Sequence, residues 1–235
     1  MPLVLRVDVD KPYGRANLFQ KILSKTREDI WGPAIGALGY GKAAKALADY
    51  LHQSRVGAFF SFRLCTMPSR AQLQEYVDQG HRVGLHAENT RNSSTFEKEV
   101  AAFKKASGFS QVDFFTKHGS GTLKLGRHHY PPYEEDKYRL WSKEFGIAFP
   151  FGNGTISDAD WQREGVLTDM FWVNHLYRDT ERYPLQWALD QARQKTLVVL
   201  IHPENYYAVP TVRRDMDAVL NLSHKQGIPW ITDLT

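Results

Sequence analysis

The strongest constraint on this chain is an alternation. Short apolar runs rich in Val, Phe and Ile recur between longer amphipathic stretches. That pattern belongs to βαβ units, because a parallel strand covered on both faces reads as continuous apolar sequence while its crossover helix shows one apolar stripe. The spacing predicts strands near 3–9, 57–62, 82–86, 113–117, 147–151, 166–172, 197–202 and 229–233. Helices are expected between them. Residues 42–54 place Ala43, Leu47, Tyr50 and Leu51 on one face, and 96–106 and 212–226 show similar spacing.

Two segments interrupt the alternation. Residues 11–41 carry Gly and Pro around Trp31-Gly32-Pro33 and Gly39-Tyr40-Gly41, and 119–133 surround Arg127-His128-His129-Tyr130-Pro131-Pro132. Long loops in a compact domain are commonly functional. No repeat, low-complexity tract or composition break marks a linker, and 235 residues suit one α/β barrel, so 1–235 reads as a single domain.

Composition narrows the chemistry. The single cysteine, Cys65, excludes an intramolecular disulfide and a Cys-rich zinc motif, so a metal would have to sit on Asp, Glu, Asn and His. A net charge of +4 and a pI near 9.0 come from scattered, interleaved charges, with no basic helix or RNA-binding signature, so no nucleic-acid partner is expected. No segment has the length of a membrane span or a signal peptide, which makes a cytoplasmic protein the expectation. Oligomeric state is not legible.

Reactive side chains fall at strand ends. Asp8 and Asp10 close the first expected strand, His86 the third, His118 the fourth and His202 the seventh, all at the C-terminal face where barrel enzymes assemble their sites. Asp8-Val9-Asp10 alternates, so both carboxylates project to one side, one for a metal and one for proton transfer. Two exposed strand-end acids would be the plainer reading without the histidines. His81, at the start of its strand, faces the other end and reads as structural. Lys117-His118-Gly119-Ser120-Gly121-Thr122 offers an imidazole for a metal or for substrate, then a Gly-rich turn whose amides could approach an oxyanion. Leu200-Ile201-His202-Pro203 delivers a histidine suited to a general acid.

Gly57-Ala58-Phe59-Phe60-Ser61-Phe62, a helix, then Gly80-His81-Arg82-Val83-Gly84-Leu85-His86 resembles the polysaccharide deacetylase superfamily, the NodB-homology carbohydrate esterases. Asp8-Val9-Asp10 looks like its first motif and Leu200-Ile201-His202-Pro203 like its last, and the order matches over nearly the whole chain. Small size and the cytoplasmic look also resemble a WbmS-like branch associated with bacterial O-antigen loci. The resemblance implies a distorted (β/α)7 barrel, Asp8 as catalytic base, Asp10 and His86 as metal ligands and His202 as general acid. Two departures stand out. Thr90 occupies the place of the family's second histidine, leaving His118, Asn89 or Thr90 as third ligand, with His118 preferred because imidazole binds a divalent ion better than a hydroxyl. The family's Arg-x-Pro segment on the fourth strand is altered to Thr116-Lys117-His118-Gly119, which puts the usual partner of the base in question.

The function expected is therefore removal of an acyl group from an amino sugar of a surface polysaccharide or its precursor, with a divalent ion, zinc foremost. Lys117, Gly119, Ser120, Asp169 and Trp172 are expected to contact the carbohydrate, with Asp169 also beside His202. Tyr13, Trp31, Tyr130, Tyr133 and Tyr206 are rim aromatics that could stack on sugar faces. Two alternatives stay open: a glycoside hydrolase pairing Asp8 or Asp10 with Asp169 or Glu204, and a non-catalytic sugar-binding barrel.

Overall fold

The computed structural model describes residues 1–30, 38–119, 122–154, 162–163, 166–174 and 178–234, and only the backbone within 153–169. The strands are β1 (Leu3–Val9), β2 (Phe59–Phe62), β3 (Arg82–Ala87), β4 (Phe115–Lys117), β5 (Phe151–Gly154), β6 (Gln162–Arg163), β7 (Val166–Trp172) and β8 (Leu197–Ile201). The helices are α1 (Leu18–Asp29), α2 (Lys42–Gln53), α3 (Arg70–Asp78), α4 (Ser93–Ser107), α5 (Glu135–Phe145), α6 (Leu185–Ala192), α7 (Pro203–Ala208) and α8 (Pro210–Lys225). The sheet runs β4-β3-β2-β1-β8-β7-β5, parallel except for β6, which lies antiparallel on β7. This curled parallel sheet is the expected distorted (β/α)7 barrel.

Among the described residues, closure rests on one seam. Phe115 N–H donates to the Ala148 carbonyl at 2.9 Å and Ala148 N–H to the Asp113 carbonyl at 3.1 Å, joining the chain before β5 to the foot of β4. Pro150 has no N–H to continue the ladder, which is why the strand expected at 147–151 begins instead at Phe151 and pairs with β7. The strand expected at 229–233 is a single bridge, Leu3 to Trp230. Because β2 starts only opposite Arg6, the C-terminal segment fits into the short gap below it.

Alternation along β1 sorts the side chains into two layers. Leu3, Leu5, Val7 and Val9 face outward and pack with Leu47, Leu51, Met216 and Val219 of the covering helices. The buried stripe of α2 is Ala44, Leu47, Ala48 and Leu51, with Ala43 and Tyr50 at its margins rather than at its centre. Val4 faces the lumen with Phe59, Phe114, Phe151, Met170, Val198 and Leu200, which form an apolar floor. Gly84 on β3 makes room for it: a Cβ there would lie 2.5 Å from the Phe114 carbonyl oxygen and 2.7 Å from its ring. Capping boxes at Asn17, Ser69 and Asn92 set the starts of α1, α3 and α4.

Candidate active site

Above the floor the lumen turns polar. Arg6, two residues before Asp8 and on the same face of β1, is 2% exposed and grips the Asp8 carboxylate through both ends, Nε to Oδ1 at 2.9 Å and Nη2 to Oδ2 at 2.7 Å. Its Nη1 donates to the Gly152 carbonyl at 3.1 Å and Ser61 Oγ donates to Asp8 Oδ1 at 2.6 Å. Burial would raise the Asp8 carboxyl, but the Arg6 guanidinium and then His86 outweigh it and hold it at about 2. Sequence reasoning missed Arg6. The signal was an arginine in phase with two aspartates inside an otherwise apolar strand.

The strand-end histidines converge on Asp10. His86 Nε2 and His118 Nδ1 each lie 3.1 Å from Asp10 Oδ1, and His202 Nε2 lies 3.4 Å from Oδ2. His86 Nε2 is also 3.7 Å from Asp8 Oδ2. His86 Nδ1 shares a hydrogen with Thr116 Oγ1 at 2.6 Å, which fixes the ring and leaves Nε2 as the inward nitrogen. Ligand atoms of Asp10, His86 and His118 lie within 4.8 Å of one another. Two imidazoles and a carboxylate at that spacing fit a small divalent ion with bonds of about 2.0–2.2 Å. Burial pushes the His118 ring toward its neutral, ligating form. Burial likewise opposes ionisation of Asp10, yet His118 and His202 draw it well below the ordinary range.

Thr90 Oγ1 meets the Tyr138 hydroxyl at 3.3 Å, and Asn89 N–H donates to Glu99 at 2.8 Å. Lys117 alternates away from His118: buried, its Nζ donates to the carbonyls of His118 and Gly119 and contacts His129 Nε2 at 3.2 Å. Burial lowers its ammonium to about 8. That placement makes Lys117 a brace for the turn after β4 rather than a sugar contact. Gly119 adopts φ +62°, and its carbonyl is the acceptor for Lys117. Ser120 and Trp31 lie outside the described residues.

Arg63 completes the setting. Its Nη1 donates to the Asp10 carbonyl at 2.8 Å while Nη2 meets Glu88 at 2.6 Å and Glu28 at 3.1 Å. Trp172 lies flat against His202, ring centroids 6.0 Å apart at 26°. Asp169 does not end β7. The register sets Met170 opposite Val198 and Trp172 opposite Leu200, so Asp169 sits about five residues, roughly 16 Å, short of His202, and the carboxylate beside His202 is Asp10. Glu204, next along after Pro203, is buried with Oε2 lacking a hydrogen bond among the described residues. Burial and then the Asp10 charge push its carboxyl up to about 8. Among the rim aromatics, Tyr13 packs edge-on against Tyr40, and Tyr206 is buried with its hydroxyl on Asp217. His81 is structural as expected, bonded to the Ala48 carbonyl and packed on Phe60.

No family model matches the sequence, and no match was found among curated proteins. Solved structures do match. The catalytic domain of a peptidoglycan N-acetylglucosamine deacetylase from Eubacterium rectale ATCC 33656 is 14% identical and superposes with a TM-score of 0.50, covering 99% of this chain and 89% of that one. A probable polysaccharide deacetylase from Pseudomonas aeruginosa PAO1 is 12% identical with a TM-score of 0.52, covering 97% and 86%. The chain shares their fold. At such identities the likeness is one of architecture, and the chemistry must be argued from the side chains. Among the described residues no helix is long and apolar enough to cross a membrane.

Proposed function

We propose that this chain is a metal-dependent deacetylase acting on an acylated amino sugar of a surface polysaccharide or its precursor, the substrate class of the O-antigen branch that its sequence resembles. The observation that carries the reading is the convergence of Asp10, His86 and His118 within 4.8 Å at the barrel mouth, with Asp8 and His202 beside them. Asp10, His86 and His118 would hold the ion, and zinc suits the Asp–His–His set. When bound, such an ion supplies Lewis acidity, which polarises an acyl carbonyl and acidifies water.

The chain's own groups then divide the proton transfers. Asp8, ionised and fixed by Arg6 and Ser61, takes the proton of the attacking water. A carboxylate held near 2 is a poor base toward ordinary water, so this role depends on water made acidic at the same site. Arg6 therefore orients the base rather than strengthening it. His202, on the far side of Asp10 from His86 and His118, gives its proton to the departing amine nitrogen. Trp172, flat against that ring, limits its rotation and offers an apolar face to a sugar.

A second reading has one observation in its favour. Glu204 is held protonated near neutral pH beside an ionised Asp10, the electrostatic arrangement of a glycosidase acid and its partner. It leaves three converging imidazoles without a task. Elemental analysis of the purified protein, combined with assays of N-acetylated glucosamine oligomers with and without chelator, separates the two. Stoichiometric metal and chelator-sensitive release of acetate are expected. Cleavage of the glycosidic bond by metal-free protein, abolished by Glu204→Gln, would replace the deacetylase reading with the glycosidase.

A further inference from the structure

Helix α1 turns most of its apolar residues away from the domain. Leu18, Phe19 and Ile22 are 76%, 59% and 56% exposed, whereas its inner side carries a single apolar residue, the half-buried Leu23, among Gln20, Ser24, Arg27 and Glu28. A surface helix ordinarily does the reverse. The orientation is anchored. Arg27 Nη1 donates to the Cys65 carbonyl at 2.9 Å, its guanidinium lies 4.4 Å from the Tyr40 ring centroid, and Glu28 meets Arg63 at 3.1 Å.

A neighbouring turn repeats the pattern. Leu123 and Leu125 are 76% and 50% exposed, and Gly126 packs so closely on α1 that a Cβ there would come within 2.1 Å of the Glu28 carboxylate. Cations are interleaved with these side chains: Lys21 on α1 and Lys124 and Arg127 on the turn, all exposed, and Lys25, also exposed, which is paired with Glu28 at 2.9 Å. Lys21, Lys25 and Leu125 share with Lys11 and Asp10 the lining of one cleft of about 480 Å³. The apolar face, the row of cations and the catalytic mouth are thus contiguous.

We propose that this face seats the protein on an anionic lipid surface, with Leu18, Phe19, Ile22 and Leu123 entering the headgroup region and the lysines meeting lipid phosphates. Charge selects this occupant. A symmetric dimer through the same patch would bring its lysines against their own copies, whereas an anionic leaflet complements them. Because the cleft that reaches Asp10 opens beside α1, the mouth lies at that surface. It follows, resting on the deacetylase reading, that the acylated amino sugar is carried on a lipid through phosphate.

The seat itself is tested without turnover, so its failure and that of the deacetylase reading are distinguishable. The full chain is sedimented with vesicles of phosphatidylglycerol and phosphatidylcholine, and with phosphatidylcholine alone. Binding to the anionic vesicles and not to the neutral ones is expected, weakened by salt. Phe19→Ser/Ile22→Ser should weaken it at least tenfold, and Lys21→Gln or Lys124→Gln about fivefold each. Unchanged circular dichroism confirms that the apolar variant is folded, and the lysine variants test the seat without touching the apolar face. Absence of binding at low salt, equal binding to neutral vesicles, or a solution dimer that Phe19→Ser/Ile22→Ser dissolves would each overturn the proposal.

Discussion

The floor and the mouth of the lumen are made by the same strands, two to four residues apart, and they obey opposite rules. At the floor, Val4, Phe59, Phe114, Phe151 and Val198 pack as hydrocarbon, each side chain contributing about 1.5–3 kcal/mol through burial. At the mouth, Asp8, Asp10, His86, His118 and His202 are withdrawn from most solvent, where an unpaired charge would be strongly unfavourable. Arg6 stands at the boundary and makes the change possible, since its guanidinium compensates Asp8 while its other arm bonds the Gly152 carbonyl and touches the Met170 sulfur. The lower layer holds the barrel together. The upper layer is tolerated only as a mutually compensated set, and that interdependence marks it as the working end.

The contrast is open to direct attack. Asp8→Asn should lower turnover by roughly two to four orders of magnitude while bound metal, read by elemental analysis, stays in place; loss of the ion would make Asp8 a ligand. Phe59→Ala removes a ring that meets Phe114 and Phe151 edge-on and should cost about 3–5 kcal/mol in denaturant unfolding, with turnover per folded molecule unchanged. Equal damage to turnover and stability in both variants would mean that floor and mouth are one unit.

Smaller effects sharpen the boundary. Thr116→Val deprives His86 Nδ1 of its partner and should weaken metal affinity about 10- to 100-fold without destabilising the metal-free fold; an unchanged affinity in competition with a chelator dye would leave Thr116 without that role. Acid titration of the metal-free protein tests the Arg6–Asp8 pair. Asp8 is held at about 2 against an ordinary 3.8, so the pair's contribution is complete above about pH 4 and is lost as pH falls toward 2. The expected loss is about 2 kcal/mol, absent in Asp8→Asn, and an identical acid limb in wild type and variant would show that the pair adds nothing.

Much of this was legible because strand parity is a two-residue code. Asp8 and Asp10, and the strand ends at His86, His118 and His202, follow from where apolar runs stop. What escaped depends on partners distant in the chain. Arg63 reaching the Asp10 carbonyl, Thr116 against His86 and Glu99 capping the Glu88 and Asn89 amides are pairings across strands or across a strand and a helix. Lys117 was misread for a different reason: proximity in sequence to His118 suggested a shared side, but adjacent residues on a strand point apart. Asp169 failed because it lies three residues before the end of its own strand, Val166–Trp172, and the regular pairing of β7 with β8 keeps it below Met170 and Val198, far from His202. The outward apolar face of α1 has no local signature either, because its direction depends on Arg27 finding Cys65 and Tyr40.

The seam at Ala148 has a consequence for how such a barrel can diversify. Only the foot of β4 is laced to the chain before β5, and above that bridge, among the described residues, the two strands make no ladder. Insertions or deletions after β4 therefore leave every strand pairing untouched, as the excursion at 119–133 illustrates. A tailor would call it a dart left open at the collar: one flap can be recut with the stitching below undisturbed.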